Sequence, residues 1–387
     1  MPLPLTTHLR IFLPFAFGYF LSYLYRTVNA VLAPDLTRDL NLDPASLGLL
    51  TSAYFLAFAA AQLPLGLLLD RYGPRRVEAG LLLFAATGAL LFARAESLAQ
   101  LLAGRALIGL GVAACLMAAF KAFSQWFPRE QLPFTNGIQM VSGGLGALAA
   151  TTPVELVLTV TDWRGLFTAA AVLTLLAAAA IFLVVPEWDA GRMAEPWTAQ
   201  WAGLREVLVS RAFWRITPWA VAAQASYLSL VSLWAGPWLR DVAGYSRLAV
   251  ANTLMWVAVA MIAGYFAFGW LAARLNRRGV PTVRMAAVGM GLFLVTQLLL
   301  ALHSVALATW LWLLFGFFGT AGILPYAVFS QKFPVRLTGR ANSCLNLLIF
   351  LGAFTAQWGV GVVVGWWPVA ADGGYAPDGY RWGVLLL

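Results

Sequence analysis

Eleven apolar stretches, each about twenty residues long, recur along this 387-residue chain, and they decide its solvent before any motif is read. They run over 11–33, 46–69, 77–92, 98–120, 134–157, 165–185, 213–238, 248–272, 283–302, 305–329 and 341–366. At about 1.5 Å per residue, such a stretch makes a helix about as long as the bilayer's hydrocarbon core is thick. Composition agrees. The chain is 61% hydrophobic and 11% charged, with a mean hydropathy of +0.79, whereas a soluble domain is about a quarter charged. The first stretch is long enough to span and has no small-residue cleavage site before a soluble domain, so it reads as a transmembrane helix and not as a removable leader. A twelfth stretch opens at Arg381 and reaches only Leu387, too short to cross, so the chain is expected to be cut short inside its last helix. The fold class implied is an all-α integral membrane protein.

The connections are short except over 186–212. That segment is polar, carries Trp197 and Trp201, and divides the chain nearly in half. It is expected to hold an amphipathic helix at the membrane interface. The predicted division is a six-helix bundle over 1–186, a cytoplasmic linker over 187–212 and a second six-helix bundle over 213–387 with its twelfth helix incomplete. With the N-terminus placed in the cytoplasm, 17 of the 25 Lys and Arg fall on the cytoplasmic side and 6 outside, which is the positive-inside bias and supports that orientation in an inner membrane. Arg26 and Arg105 remain within spans. The net charge of +9 thus has a topological origin, and without a basic run interleaved with aromatics it does not point to nucleic acid. Cys115 and Cys344 lie inside apolar stretches without metal-ligand spacing, and His8 and His303 are the only histidines, so no metal pattern arises. No nucleophile–base pair or phosphate-cradling loop is present. No enzyme, cofactor or ATP motor is indicated, and energy is expected from gradients.

The two halves repeat. Phe123-Ser124-Gln125-Trp126-Phe127-Pro128 recurs as Phe329-Ser330-Gln331-Lys332-Phe333-Pro334, 206 residues later, and both copies close a span running from outside to inside. Asn136 and Asn342 keep that offset, as do Gly146 and Gly352. Gly66-Leu67-Leu68-Leu69-Asp70-Arg71 has a counterpart in Gly269-Trp270-Leu271-Ala272-Ala273-Arg274. Transporters built from such repeats hold their substrate near the midplane between the halves.

Gly66-x-x-x-Asp70-Arg71-Tyr72-Gly73-Pro74-Arg75-Arg76 resembles the signature between the second and third helices of the major facilitator superfamily. Arg105-x-x-x-Gly109-x-Gly111 is similar to its fourth-helix motif, and Asp162-Trp163-Arg164-Gly165 to its turn into the sixth helix. The resemblance covers essentially the whole chain. It implies two pseudo-symmetric six-helix bundles with twelve helices, a protein working as a monomer, and a conformational latch formed by Gly66, Asp70, Arg71, Gly73, Arg75 and Arg105 that locks the outward-facing state. The physics fits, since glycines let helices approach and Asp70 can meet an arginine or a helix N-terminus. In the second copy Ala273 stands where the acid would be, which implies a weaker lock. More narrowly, Tyr25-Arg26 followed by Ala33-Pro34 resembles the first helix of the organic-anion and organophosphate branches, and Lys121 through Glu130 resembles the end of the fourth helix in anion:cation symporters. Val112 replaces the glutamate common in those symporters, and the seventh helix offers Gln224 and Tyr227 where the organophosphate antiporters add an arginine.

Arg26 is the sharpest candidate for binding. It lies about 22 Å along the first span, where an ionisable group is costly and usually functional. Tyr19, Ser22, Tyr23 and Asn29 share its face at helical spacing and either complete a polar pocket or merely satisfy the arginine. Arg105 serves helix packing or the substrate, and Lys121 at the inner end of its helix is an anion contact or a topological charge. Gln139, Gln224, Tyr227 and Asn346 are mid-depth polar residues that line a cavity or bond between helices. The candidate substrate site is therefore Arg26, Tyr23, Asn29, Lys121, Gln139, Gln224, Tyr227 and Asn346. Gly137, Gly143, Gly144 and Gly146 resemble the glycine-rich stretch of nitrate carriers, but the arginines midway along the second and eighth helices are missing, which argues against nitrate. Trp234, Trp238 and Trp256 read as core or interfacial belt. No Asp or Glu is expected at the midplane, where drug/proton antiporters usually place one.

These features favour a gradient-driven or facilitative carrier of a small organic anion or zwitterion, with a proton or other ion as a candidate coupling partner and lipid as the surrounding solvent. Two other readings stand beside it: an exporter of amphiphilic or drug-like compounds, and a non-transporting membrane sensor or scaffold. The intact loop motif argues against the last.

Overall fold

The computed structural model describes residues 5–128, 131–187, 197–302, 305–368 and 374–387, and nearly all of them are helical. Arg129, Glu130 and His303 lie outside the described residues. In chain order the α-helices are α1 Leu5–Thr27, α2 Asn29–Leu40, α3 Pro44–Ala93, α4 Leu98–Gly111, α5 Cys115–Trp126, α6 Leu132–Ala149, α7 Thr152–Val157, α8 Trp163–Val184 and α9 Trp197–Val209. They continue as α10 Arg211–Ser229, α11 Ala235–Asp241, α12 Arg247–Asn276, α13 Thr282–Ala301, α14 Ala308–Gly319, α15 Leu324–Lys332, α16 Val335–Val364 and α17 Pro377–Leu385. Among the described residues seven helical segments are long and apolar enough to cross a membrane.

Several predicted spans are interrupted, each for a local reason. The first, expected as one helix over 11–33, breaks at Val28 between α1 and α2. The Thr27 hydroxyl donates to the Tyr23 carbonyl (2.9 Å), competing with the backbone ladder there. The second and third spans join at Gly73, whose φ of 76° is natural for glycine and costly for other residues. The seventh span passes through one π-turn at Leu230–Trp234 between α10 and α11. The segment over 186–212 does contain a helix, α9, and the last helix opens at Pro377, four residues before the expected start.

Two compact units form: residues 1–28 with 53–195, and residues 29–52 with 196–387. In the first, α1 packs against α5, α6 and α8. Gly146 of α6 lies so close to the Phe20 backbone of α1 that any Cβ would strike its carbonyl. Gly109 meets the Tyr54 backbone in the same way, and Gly111 meets Ala85. Small residues at helix contacts are the usual solution in lipid, where packing replaces the hydrophobic drive.

In the second unit α10 packs on α16, α14 on α12 and α13, and α17 on α13 and α16. Gly352 of α16 abuts Val221 and Ala225 of α10, so the glycine pair found in the sequence has the same task in both copies. The repeated Phe motif is repeated in conformation too. Phe127 and Phe333 leave their helices with φ, ψ of −102°, 145° and −100°, 145°, each N–H returning to the carbonyl of Phe123 or Phe329. The paired rings meet edge-on at 5.4 Å and 5.6 Å. Residues 29–52 are held to the second unit by close backbone contacts. Pro34 has no N–H to return to the Ala30 carbonyl, and Gly236 of α11 comes against that carbonyl. Gly361 comes against the carbonyl of Pro44 in the same manner. Asp35 of α2 takes both terminal nitrogens of Arg247, at 2.9 Å and 2.6 Å.

Candidate substrate site

Arg26 ends α1 in the interior of the first unit, 7% exposed. Its guanidinium carbon stands 4.5 Å from the Tyr23 ring centre, 5.3 Å from Phe58 and 5.9 Å from Tyr54. Arg105, fully buried on α4, reaches the same Tyr54 ring at 5.4 Å. One Arg105 terminal nitrogen donates to the Tyr25 carbonyl (2.8 Å), while its Nε and other terminal nitrogen have no hydrogen-bond partner among the described residues. Two guanidinium groups thus share one phenol ring inside a helical bundle. Aromatic faces stabilise a cation without neutralising it, so the cluster stays positive. Tyr19 stacks edge-on against Tyr23 at 5.1 Å, and Gly143 of α6 leaves room for both rings.

The other predicted binding residues each have partners within their own unit. In the first unit, the Gln139 amide donates to the Phe15 carbonyl (3.1 Å) between α6 and α1, which is the interhelical use. The Lys121 ammonium is ion-paired with Asp70, and both side chains are partly exposed. In the second unit, Asn29 donates to the Thr51 hydroxyl (3.0 Å). Tyr227 is buried among Phe315 and Phe293 against Gly319, a core position, and the Gln224 amide lies over Gly322. Asn346 accepts a hydrogen bond from the Tyr326 hydroxyl. Within the first unit, the fold brings the predicted residues Arg26, Tyr23 and Arg105 together about the Tyr54 ring. Trp234 and Trp238 are buried core, and Trp256 is half exposed.

The loop signature folds as two anchored ends. Arg75 donates to the Phe182 carbonyl (2.8 Å), and Arg76 pairs with Glu187 at 2.5 Å. Arg71 lies over the Tyr72 ring. Among the described residues, a Cβ at Gly66 would meet nothing within 4 Å. Arg105 lies with Tyr25 and Tyr54, and none of its bonds reaches this loop. The turn into α8 is built as a cap: Asp162 accepts from the Gly165 N–H (2.8 Å), and Arg164 donates to the carbonyls of Ala93 and Ala95.

Three residues were missed by sequence reasoning. Tyr54 and Phe58 stand one helical turn apart on the second span and look there like ordinary apolar positions. Glu78 follows the Arg75-Arg76 pair by two residues and reads as the end of a loop. The expectation about acids concerned the midplane, and it passed over Glu78 at the inner end of the third stretch, which is completely buried on α3 against Gly18 of α1. The signal available was its place one residue inside the third apolar stretch.

The family model described as Major Facilitator Superfamily matches residues 15–357. The chain belongs to the major facilitator superfamily and is a multi-pass membrane protein of that type. Among curated relatives, the nitrate/nitrite transporter NrtP of Picosynechococcus sp. is 34% identical over 139 residues, 36% of this chain and 26% of that protein. The probable sulfoacetate transporter SauU of Cupriavidus necator is 33% identical over 150 residues, 38% of this chain and 35% of that one. The hexuronate transporter of Escherichia coli K12 is 30% identical over 153 residues, 39% and 35% respectively. The matched stretches thus span about a quarter to a third of these relatives' lengths. In solved structures the fold is similar to a bacterial homolog of the human lysosomal transporter Spinster (TM-score 0.76, 19% identity, 94% of this chain and 83% of that one). It is also similar to a D-xylose–proton symporter (TM-score 0.72, 15% identity, 98% and 96%).

Proposed function

We propose that this protein is a secondary transporter that carries a small organic anion across the inner membrane by alternating access, with its N-terminus in the cytoplasm. The observation that carries the reading is the pair of buried guanidinium groups, Arg26 and Arg105, about the Tyr54 ring. Arg26 meets the negative group of the substrate, because a planar fork of donors matches a carboxylate or sulfonate. Tyr23 and Phe58 exclude water from that contact, and Arg105 holds the Tyr25 backbone and the Tyr54 ring in place. Relatives that share a third of their matched residues are named as transporters of sulfoacetate and hexuronate, both organic anions. The missing arginines in the second and eighth spans argue against nitrate itself. The Asp70–Lys121 pair belongs to the latch, opening and closing with the transport cycle.

The test is uptake of labelled sulfoacetate and glucuronate into proteoliposomes holding the purified protein. Saturable uptake that disappears in Arg26→Ala supports the reading. Uptake of lipophilic cations that is unaffected by Arg26→Ala would replace it with the exporter.

A further inference from the structure

Among the described residues of the first unit, Glu78 is a buried carboxyl whose surroundings suit a proton and not a fixed charge. It lies on α3 with no solvent exposure. Neither carboxyl oxygen accepts a hydrogen bond from a nitrogen or oxygen donor among the described residues. A Cβ at Gly18 would come 2.5 Å from Glu78 Oε1 and 3.7 Å from Ile181 of α8, so the carboxyl fills a slot that α1 leaves open by having glycine there. The titratable side chain it interacts with is the Cys115 thiol at the start of α5. Its near neighbours in sequence, Arg75 and Arg76, are turned away to the Phe182 carbonyl and Glu187. α8 carries one charged side chain, Arg164, which is held by Ala93 and Ala95. On α1, Tyr19, Tyr23 and Arg26 face the substrate cluster, and on α4 Arg105 does the same.

A permanently ionised carboxylate in such a slot is costly, whereas a protonated one needs a single partner. The slot and the substrate cluster share α1: Gly18, which Glu78 lies against, precedes Arg26 by eight residues, about 12 Å along the helix. We propose that Glu78 binds and releases the proton that couples anion transport to the proton gradient. A proton from water adds to one carboxylate oxygen, forming a neutral acid. One negative charge is thereby removed from the bundle that holds Arg26 and Arg105, and the anion binds more tightly. By reciprocity the bound anion favours protonation of Glu78 to the same extent. Proton and anion therefore travel together, and release on the opposite side returns the carboxylate. This inference rests on the anion reading above.

The experiment uses the full-length protein in detergent and in proteoliposomes, with sulfoacetate and glucuronate as probes. Wild type is expected to take up close to one proton per anion bound in weakly buffered solution, and its Kd to rise about tenfold per pH unit above the midpoint of Glu78. Glu78→Gln, which mimics the protonated acid, is expected to bind the anion without proton uptake and with a Kd flat in pH. It should also exchange anion across the membrane while losing accumulation driven by a pH gradient. Anion binding to wild type with no proton uptake at any pH overturns the proposal whether or not the variant folds, and so does unchanged proton uptake in Glu78→Gln. Failure of both anions to bind wild type at any pH defeats the anion reading itself, and the coupling role of Glu78 falls with it.

Discussion

Arg26 shows how one residue can be legible in sequence while its neighbours are not. An arginine deep in an apolar stretch is conspicuous because its cost is independent of fold. The rings that house it are ordinary core residues by type, and only the crossing of α3 with α1 and α4 turns Tyr54 into the ring shared by two guanidinium groups. Asn29 shows the converse. Helical spacing puts it on the Arg26 face, and the break at Val28 and the hydrogen bond from Asn29 to the Thr51 hydroxyl could not be read from that spacing. Glycine positions carry the sharpest single-residue predictions. Gly146→Val should drive a branched side chain into the Phe20 backbone, destabilising the protein by at least about 1–3 kcal/mol. Gly73→Ala should cost about 1–3 kcal/mol, because its φ of 76° with ψ of 160° is a conformation essentially confined to glycine. Thermal unfolding in detergent measures both, and an unchanged midpoint in either variant would contradict the packing or the turn described.

At the scale of elements, the duplication read from six residues has a structural counterpart. Phe123 and Phe329 are both fully buried, both receive the N–H of the residue four positions on, and both support a second ring. Phe123→Ala and Phe329→Ala should therefore destabilise to a similar degree, each by about 3–5 kcal/mol, the range for emptying a large core site. Losses differing several-fold would mean that the copies are not equivalent. The tie between α2 and the start of α12 was invisible in sequence, because Asp35 and Arg247 lie 212 positions apart and each reads as a span-end charge. Its bidentate geometry, with Asp35 nearly buried, predicts non-additive stabilities in a double-mutant cycle of Asp35→Asn and Arg247→Gln, with a coupling of about 1–3 kcal/mol. Additive losses would remove the pair from the account. Lys121 and Asp70 are more exposed, so Asp70→Asn should change stability by less than about 1 kcal/mol while altering turnover. A large fall in stability would make that pair structural.

For the whole molecule, class and fold were readable because they follow from lengths, periodicity and a repeat, quantities that survive ignorance of contacts. The binding residues were less readable because polar residues in lipid have two uses. Gln139 and Asn346 turned out to hydrogen-bond within the structure. Tyr227 turned out to be packed in the core. The acid that was overlooked, Glu78, hid behind a basic pair that marks a loop, although its side chain turns back into the bundle. The central claim is that the positive cluster around Arg26 binds an organic anion, and it is tested most directly by ligand-induced thermal stabilisation of wild type, Arg26→Lys and Arg26→Ala with sulfoacetate and glucuronate. A ligand at 100 times its Kd adds about 2.7 kcal/mol to stability, enough to move a melting point measurably. The account predicts a saturable shift for wild type, a weaker one for Arg26→Lys, and none for Arg26→Ala. The same shift in wild type and Arg26→Ala would contradict it and return Arg26 to a structural role.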